Sequence, residues 1–317
     1  MWAKFTLYTQ VEKGTDLNQL YLCSEYQKLY LSLIEQADLP DLAVTSKIED
    51  ANIVLADPPK LAQQIEKAQN LEWLQSTYAG CDALLAQNKR DYLLTNVRGI
   101  FGPLMSEYVF GQLLTLTRHL AHYRDAQSQK QWSVLPYQSL INRKMVILGT
   151  GSIGAHVAAT AKHFGMQVTG VSRSGKLATS FDTVVTTAQL TSQLSDADVV
   201  VSTLPSTPET KGLLSHPTLS ACNGAILFNV GRGPVLEESA LIDAIEHKHI
   251  RHAVLDVFAN EPLDSTHPFW THPDITVTPH ISAISFPDQV FAIFADNYQR
   301  WHQGSALQYT VDFDLGY

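Results

Sequence analysis

Short apolar runs alternate with stretches of helical periodicity along most of this chain. In the stretch before residue 99, Ala3–Tyr8, Asn52–Ala56, Leu71–Ser76 and Tyr92–Thr95 read as short strands. Asp16 to Gln36 reads as one long amphipathic helix, with Leu17, Leu20, Leu29 and Leu33 at helical spacings. This alternation predicts a small α/β unit on a parallel sheet. Gly99–Ile100–Phe101–Gly102–Pro103 breaks the pattern in the manner of a domain hinge. A helix is predicted from Leu104 to Arg124, with Val109, Leu113, Leu116 and Leu120 on one face. The less regular segment after it, carrying Trp132 and Tyr137, is too apolar for a solvated linker. It is expected to pack on a partner subunit, with packing on its own chain as the competing reading.

From Lys144 the strands come at regular intervals. Met145–Leu148, Met166–Val171, Asp198–Thr203, Ala225–Val230, His252–Val257 and Ile275–Thr278 are short and apolar. Helical patterns lie between several of them, Leu236 to Lys248 being the clearest, and a last helix is predicted near Asp288–Trp301. The strand Met145–Leu148 runs directly into Gly149–Thr150–Gly151–Ser152–Ile153–Gly154, with a small-residue helix behind it. In that context each glycine has its own work. Gly149 permits the tight turn, Gly151 lets the backbone approach a pyrophosphate, and Gly154 lets helix and strand pack closely. The helix N-terminus favours the diphosphate charge. The next strand arrives where a βαβ unit requires it, so the fold class is α/β, a doubly wound parallel sheet holding a dinucleotide.

The end of that second strand bears on which dinucleotide. An Asp or Glu there accepts hydrogen bonds from the adenosine ribose in NAD-binding units. This chain instead has Ser172–Arg173–Ser174–Gly175–Lys176. An arginine fork assisted by hydroxyls suits a 2′-phosphate, so NADP(H) is expected in preference to NAD(H).

Composition narrows the partners. The chain has 317 residues, enough for two domains, and is 45% hydrophobic and 17% charged, as in ordinary globular proteins. A formal net charge of −9 without any basic run argues against a nucleic-acid partner. Cys23, Cys81 and Cys222 are scattered and form no metal cluster. The N-terminus lacks a signal-peptide profile and no apolar run has transmembrane length, so a cytoplasmic protein without membrane contact is expected.

Candidate chemistry collects where late strands end. Arg232 lies in Asn229–Val230–Gly231–Arg232–Gly233–Pro234, Glu261 in Asp256–Val257–Phe258–Ala259–Asn260–Glu261–Pro262, and His280 in Thr278–Pro279–His280–Ile281–Ser282–Ala283. Hydride reduction of a carbonyl leaves an alkoxide that needs a proton, and histidine supplies one near neutral pH. A carboxylate beside it would favour its charged form, and an arginine would hold a substrate carboxylate. His247, His249 and His252 invite a metal, but with no nearby acid or cysteine a solvated surface is the stronger reading. Asp57–Pro58–Pro59 and Thr77–Asp82 follow strands and read equally as substrate walls or as surface turns.

Taken in order, the glycine motif, Asn229–Pro234, Leu255–Phe258 with Glu261–Pro262, and Thr278–His280 resemble the successive signatures of the D-isomer-specific 2-hydroxyacid dehydrogenases. The resemblance runs from Leu71 to Ala292. It implies a Rossmann cofactor domain, residues 100–288, inserted in a smaller flavodoxin-like α/β substrate domain made of 1–99 and 289–317. It also implies active sites in the cleft and a homodimer. By the same resemblance His280 transfers the proton, Glu261 pairs with it, and Arg232 binds the substrate carboxylate with help from the Ala79–Gly80 backbone. Met105 would line the pocket, Asp256 would lie near the nicotinamide carboxamide, and Thr203, Leu204, Pro205 and Val230 would stand beside the cofactor. Within the family, the Val171–Ser174 turn and the Pro279–Ile284 ending are most similar to NADPH-linked glyoxylate/hydroxypyruvate reductases, which act on small 2-oxo acids. An NAD-linked D-2-hydroxyacid dehydrogenase of other substrate range, or a dinucleotide-binding regulator, are the alternatives.

Overall fold

The computed structural model describes residues 17–316. The strand expected over Ala3–Tyr8 lies outside them. The chain divides into two compact units, one comprising the residues up to Arg98 and those from Ser285 onward, the other Gly99–Ile284. The second division falls four residues before the expected 288/289, because Phe286 already serves as N-cap of the helix Pro287–His302, which belongs with the first unit.

The first unit holds β1 (Asn18–Cys23), β2 (Leu42–Thr45), β3 (Ile53–Ala56), β4 (Trp73–Ser76) and β5 (Leu93–Thr95). These strands pair with one another in parallel in the order β2-β1-β3-β4-β5, the flavodoxin-like arrangement, and Thr95 of β5 adds an antiparallel bridge to Thr310. The expected helix Asp16–Gln36 needs correcting: its first part is β1, and only Gln27–Gln36 is helical. Leu20 and Leu22 alternate with half-exposed neighbours, the period of a strand, and the helical spacing of Leu17 and Leu20 was coincidental.

The second unit carries β6 (Lys144–Leu148), β7 (Gln167–Ser172), β8 (Thr183–Thr186), β9 (Val199–Ser202), β10 (Ala225–Asn229), β11 (Ile250–Leu255) and β12 (Ile275–Val277). Their order, β12-β11-β10-β9-β6-β7-β8, is doubly wound and parallel throughout. Strand residues alternate between two cores. Val146 and Leu148 pack into one apolar cluster, while Met145 and Ile147 pack into another on the opposite face. That two-sided burial is why these strands read as continuous apolar runs. The direction of winding reverses at β6, which pairs with β7 on one side and β9 on the other, and ligands of such sheets bind beyond the strand ends at this point.

The helix expected over Leu104–Arg124 is two helices, Phe101–Thr117 and Leu120–Ser128, broken where His119 takes φ 54°. The segment behind them lies along the second helix. Tyr123 Oη donates to the Leu135 carbonyl, and the Arg118 guanidinium sits 4.0 Å over the Tyr137 ring. Trp132 nevertheless remains 98% exposed, with Val134, Tyr137 and Ile141 also exposed. Among the described residues, no helix is long and apolar enough to cross a membrane.

Candidate active site

The glycine turn leaves β6 with Gly149 at φ 103°, in the left-handed region open to glycine. A side chain there would also meet Thr203 Oγ1 at 2.6 Å, and that hydroxyl donates to the Leu148 carbonyl (3.1 Å). A Cβ at Gly154 would lie 2.0 Å from the Gly149 carbonyl oxygen, so the helix Ser152–His163 starts pressed against the turn. Thr150 is seated on the second strand, its Cγ2 filling the space beside Gly170. Gly151 is different, because no atom lies within 4 Å of where its Cβ would be. The first helical hydrogen bond runs from the Ala155 amide to the Gly151 carbonyl (2.8 Å), so the amides of Ser152, Ile153 and Gly154 precede the ladder. An open approach beside amides at a helix N-terminus fits a dinucleotide pyrophosphate.

At the end of β7, Ser172 Oγ accepts from the Gly175 amide (3.1 Å) and Ser174 Oγ from the Lys176 amide (3.3 Å), closing a turn with Arg173 exposed at its apex. Glu209 approaches it from the loop after β9. Hydrogen bonds from its own amide and from Thr207 hold the Glu209 carboxyl below its usual range, and the Arg173 charge adds to that. No local pattern in the sequence pointed to Glu209.

Beyond β9, β10 and β11 the loops touch backbone to backbone. A Cβ at Gly231 would fall 2.5 Å from the Leu204 carbonyl oxygen, and one at Gly233 would fall 1.9 Å from the Phe258 carbonyl. The glycines flanking Arg232 therefore let its loop lie flat between the Leu204–Pro205 segment and the segment leading to Glu261. Val230 is buried at the start of this loop, its amide donating to the Ser202 carbonyl (3.1 Å). Asn229 Nδ2 donates to the Arg232 carbonyl (3.1 Å), and Arg232 Nη1 donates to the Gly231 carbonyl (2.8 Å).

His280 Nδ1 lies 2.7 Å from Glu261 Oε2, and Glu261 Oε1 accepts from the Phe258 amide (2.8 Å). The histidine and glutamate side chains are 52% and 35% exposed, so both reach solvent. The hydrogen bond to Glu261 raises the His280 pKa above its ordinary value. Burial opposes this, the Glu261 and Asp256 charges reinforce it, and Arg232 works against it. For Glu261, burial alone would raise the carboxyl. The hydrogen bonds from His280 and the Phe258 amide, with the charges of His280 and Arg232, outweigh burial and leave it lowered. Both shifts favour an imidazolium–carboxylate pair within the field of an arginine, an arrangement able to give up a proton from Nε2.

Asp256 is 0% exposed, and its carboxylate accepts from the Thr278 hydroxyl and from the Ile281 and Ser282 amides. Met105 is also buried, packing beside Val109 and Phe110 in a core cluster of this unit. Ala79 and Gly80 belong to the first unit, in the turn after β4, where Asn96 Nδ2 donates to the Ala79 carbonyl (2.8 Å). Pro205 accepts from Thr210 Oγ1 through its carbonyl (2.6 Å). One expectation about the scattered histidines is corrected: His247 does have an acid nearby, since Asp243 lies one helical turn before it and contacts both His247 and His216. Among the described residues, no group of three or more His, Cys, Asp or Glu could hold a metal ion.

Comparison with known proteins identifies the family. The NAD binding domain model of the D-isomer specific 2-hydroxyacid dehydrogenases matches residues 110–282. The crystal structure of a D-isomer specific 2-hydroxyacid dehydrogenase family protein from Aeromonas salmonicida is 47% identical, with TM-score 0.90, covering 94% of this chain and 100% of that one. A D-isomer specific 2-hydroxyacid dehydrogenase from Xanthobacter autotrophicus, solved in complex with NADPH and MES, is 28% identical with TM-score 0.85, covering 95% of this chain and 99% of that one. The glyoxylate/hydroxypyruvate reductase A of Photorhabdus laumondii is 36% identical over 217 residues, 68% of this chain and 69% of that protein. The chain belongs to the D-isomer-specific 2-hydroxyacid dehydrogenase family and is an NAD(P)-dependent oxidoreductase.

Proposed function

We propose that this enzyme reduces small 2-oxo acids such as glyoxylate and hydroxypyruvate to D-2-hydroxy acids, with NADP(H) preferred over NAD(H). The observation that carries the reading is the His280–Glu261 pair at 2.7 Å, within the field of Arg232, in the unit that also bears the glycine turn. Names of relatives support the substrate class, since one is a glyoxylate/hydroxypyruvate reductase A. Arg173 at the apex of the turn after β7, where NAD-binding units carry an acid, supports the cofactor preference, as does the NADPH bound by the Xanthobacter relative. When bound, the nicotinamide supplies hydride to the 2-oxo carbon. His280 donates the proton to the carbonyl oxygen from Nε2, while Glu261 holds Nδ1 and keeps the imidazole charged. Arg232 binds the substrate carboxylate and polarises the adjacent carbonyl. Asp256 contributes negative field beneath the imidazole. Consumption of NADPH and of NADH with a panel of 2-oxo acids tests the whole reading. Failure of every 2-oxo acid would refute the activity, and equal use of both cofactors would refute the preference.

The assembly proposed is a homodimer in which the exposed apolar segment around Trp132, Val134, Tyr137 and Ile141 is covered by a second copy. Exposed apolar patches on soluble chains mark association surfaces, and two-fold dimers are the commonest closed assembly. Sedimentation showing only monomer at micromolar concentration would refute it.

A further inference from the structure

His280 adopts φ 54°, a left-handed backbone uncommon for a residue with a side chain, and hydrogen bonds hold its segment there. One residue supplies most of that constraint. The Asp256 carbonyl accepts from the His280 amide (2.9 Å), its Oδ1 from the Ile281 amide (2.9 Å), and its Oδ2 from the Ser282 amide (2.8 Å). Consecutive amides of the histidine segment thus all end on a side chain and carbonyl buried beneath it. Oδ1 also accepts from the Thr278 hydroxyl (2.5 Å). That hydroxyl has a single hydrogen, so its 2.6 Å contact with the Tyr108 hydroxyl is one in which Tyr108 donates. The result is a directed chain, from Tyr108 to Thr278 to Asp256, ending under the proton-transferring residue. Tyr108 comes from the helix Phe101–Thr117, far from the sheet loops in sequence. Its phenol is pushed up to about 12, chiefly by burial, so it remains a donor throughout the neutral range.

We propose that Tyr108 is a positioning residue for His280, acting through the Thr278 hydroxyl and the Asp256 carboxylate. The inference rests on the reading of His280 as proton donor. Tyr108 touches neither substrate nor cofactor in this role. It fixes the Thr278 rotamer, which fixes the carboxylate that gathers the amides on both sides of the imidazole. Loss of its hydroxyl loosens the donor without altering any charge that faces it; those charges are Glu261, Asp256 and Arg232.

The test compares Tyr108→Phe, Thr278→Val, Thr278→Ser and the double variant Tyr108→Phe/Thr278→Val, using NADPH and glyoxylate. NADPH affinity, read by fluorescence titration without turnover, monitors folding of the cofactor unit. Tyr108→Phe and Thr278→Val should each lower kcat by about 10-fold, inside the range that a misplaced catalytic group costs. KM and NADPH affinity should stay within about twofold, and Thr278→Ser should retain most of the rate. Because the hydroxyls act in series, the double variant should be no slower than the slower single variant. In a His280→Ala background, Tyr108→Phe should change the residual rate little. Wild-type kcat in Tyr108→Phe, multiplicative losses in the double variant, or an undiminished effect without His280 would each overturn the proposal. If Tyr108→Phe does not fold, a Thr278→Ser variant as slow as Thr278→Val overturns it equally. Absence of wild-type turnover on any 2-oxo acid would instead refute the proposed function, and this inference with it.

Discussion

A single added methyl group at either of two glycines should separate the architecture of the dinucleotide turn from its binding. At Gly154 the new carbon would lie 2.0 Å from the Gly149 carbonyl oxygen and 3.4 Å from Ile147 Cγ2. The obstructing oxygen is backbone, at a residue already held at φ 103°, and cannot swing aside as the end of a side chain could. Alanine gains about 1 kcal/mol over glycine inside a helix. Overpacking of a dense core costs about 1–3 kcal/mol, and so deep an overlap belongs at or above the upper end of that range. The net loss for Gly154→Ala is therefore about 2 kcal/mol, which for a unit of this size lowers Tm by about 4–8 °C. At Gly151 nothing lies within 4 Å, and φ −71° suits alanine. Gly151→Ala should leave Tm nearly unchanged, but its methyl would stand before the amides of Ser152–Gly154. Each charge-assisted bond lost there is worth about 1.5–3 kcal/mol, so NADPH affinity should fall by about 10-fold or more. Thermal denaturation of the free enzyme and fluorescence titration with NADPH read the two effects separately. Wild-type affinity in Gly151→Ala, or wild-type Tm in Gly154→Ala, would refute the reasoning.

Three further outcomes are expected. Arg173→Asp should invert cofactor preference toward NADH, since a lost phosphate contact costs about 1.5–3 kcal/mol and the new acid adds repulsion; kcat/KM with each cofactor checks it. Arg232→Ala should raise KM for the 2-oxo acid and lower kcat together, because one side chain serves both binding and polarisation; a change in KM alone would argue against the second role. His280 must be protonated to act, so kcat for reduction should fall as pH rises through its raised pKa, and Glu261→Gln should move that fall to lower pH by removing the group that raises it. Superimposable kcat–pH curves for wild type and Glu261→Gln would show that the pair is not coupled.

How far the fold could be read from sequence depended on how local its causes were. The buried strands of the second unit announced themselves because both faces are apolar, leaving β-branched runs such as Val199–Val201. β1 did not. Its first residue, Asn18, is polar yet buried, and its partners are remote: Nδ2 donates to Tyr298, while Oδ1 accepts from Asn52 and Trp301. Such a strand shows no clean apolar alternation until the segments that satisfy it are assembled. β2 and β8, absent from the expected strands, are four-residue edge strands, each too short for a periodicity to stand out from its surroundings. The break at His119 likewise has no glycine or proline to announce it.

The site was readable to the extent that a parallel sheet aligns its strand ends. Once β10, β11 and β12 are parallel neighbours, the polar residues just past each of them, Arg232, Glu261 and His280, must emerge along one edge. What brings their loops into contact was also written in the chain, as Gly231 and Gly233 on either side of Arg232. Each occupies a place where a methyl would strike the backbone of a neighbouring loop, at Leu204 or Phe258. Glycines bracketing a charged residue at a strand end therefore report close backbone approach as well as turning. The support beneath His280 follows a different logic. Tyr108 and Thr278 are 170 positions apart, and Tyr108 sits in an apolar helical stretch where an aromatic reads as core. Asp256 falls inside the expected strand His252–Val257, whereas in the fold it stands just past β11, fully buried, and gathers the amides of a segment about 25 positions later. A buried carboxylate must find donors, and here the donors it found are the ones that hold the proton-transferring histidine in place.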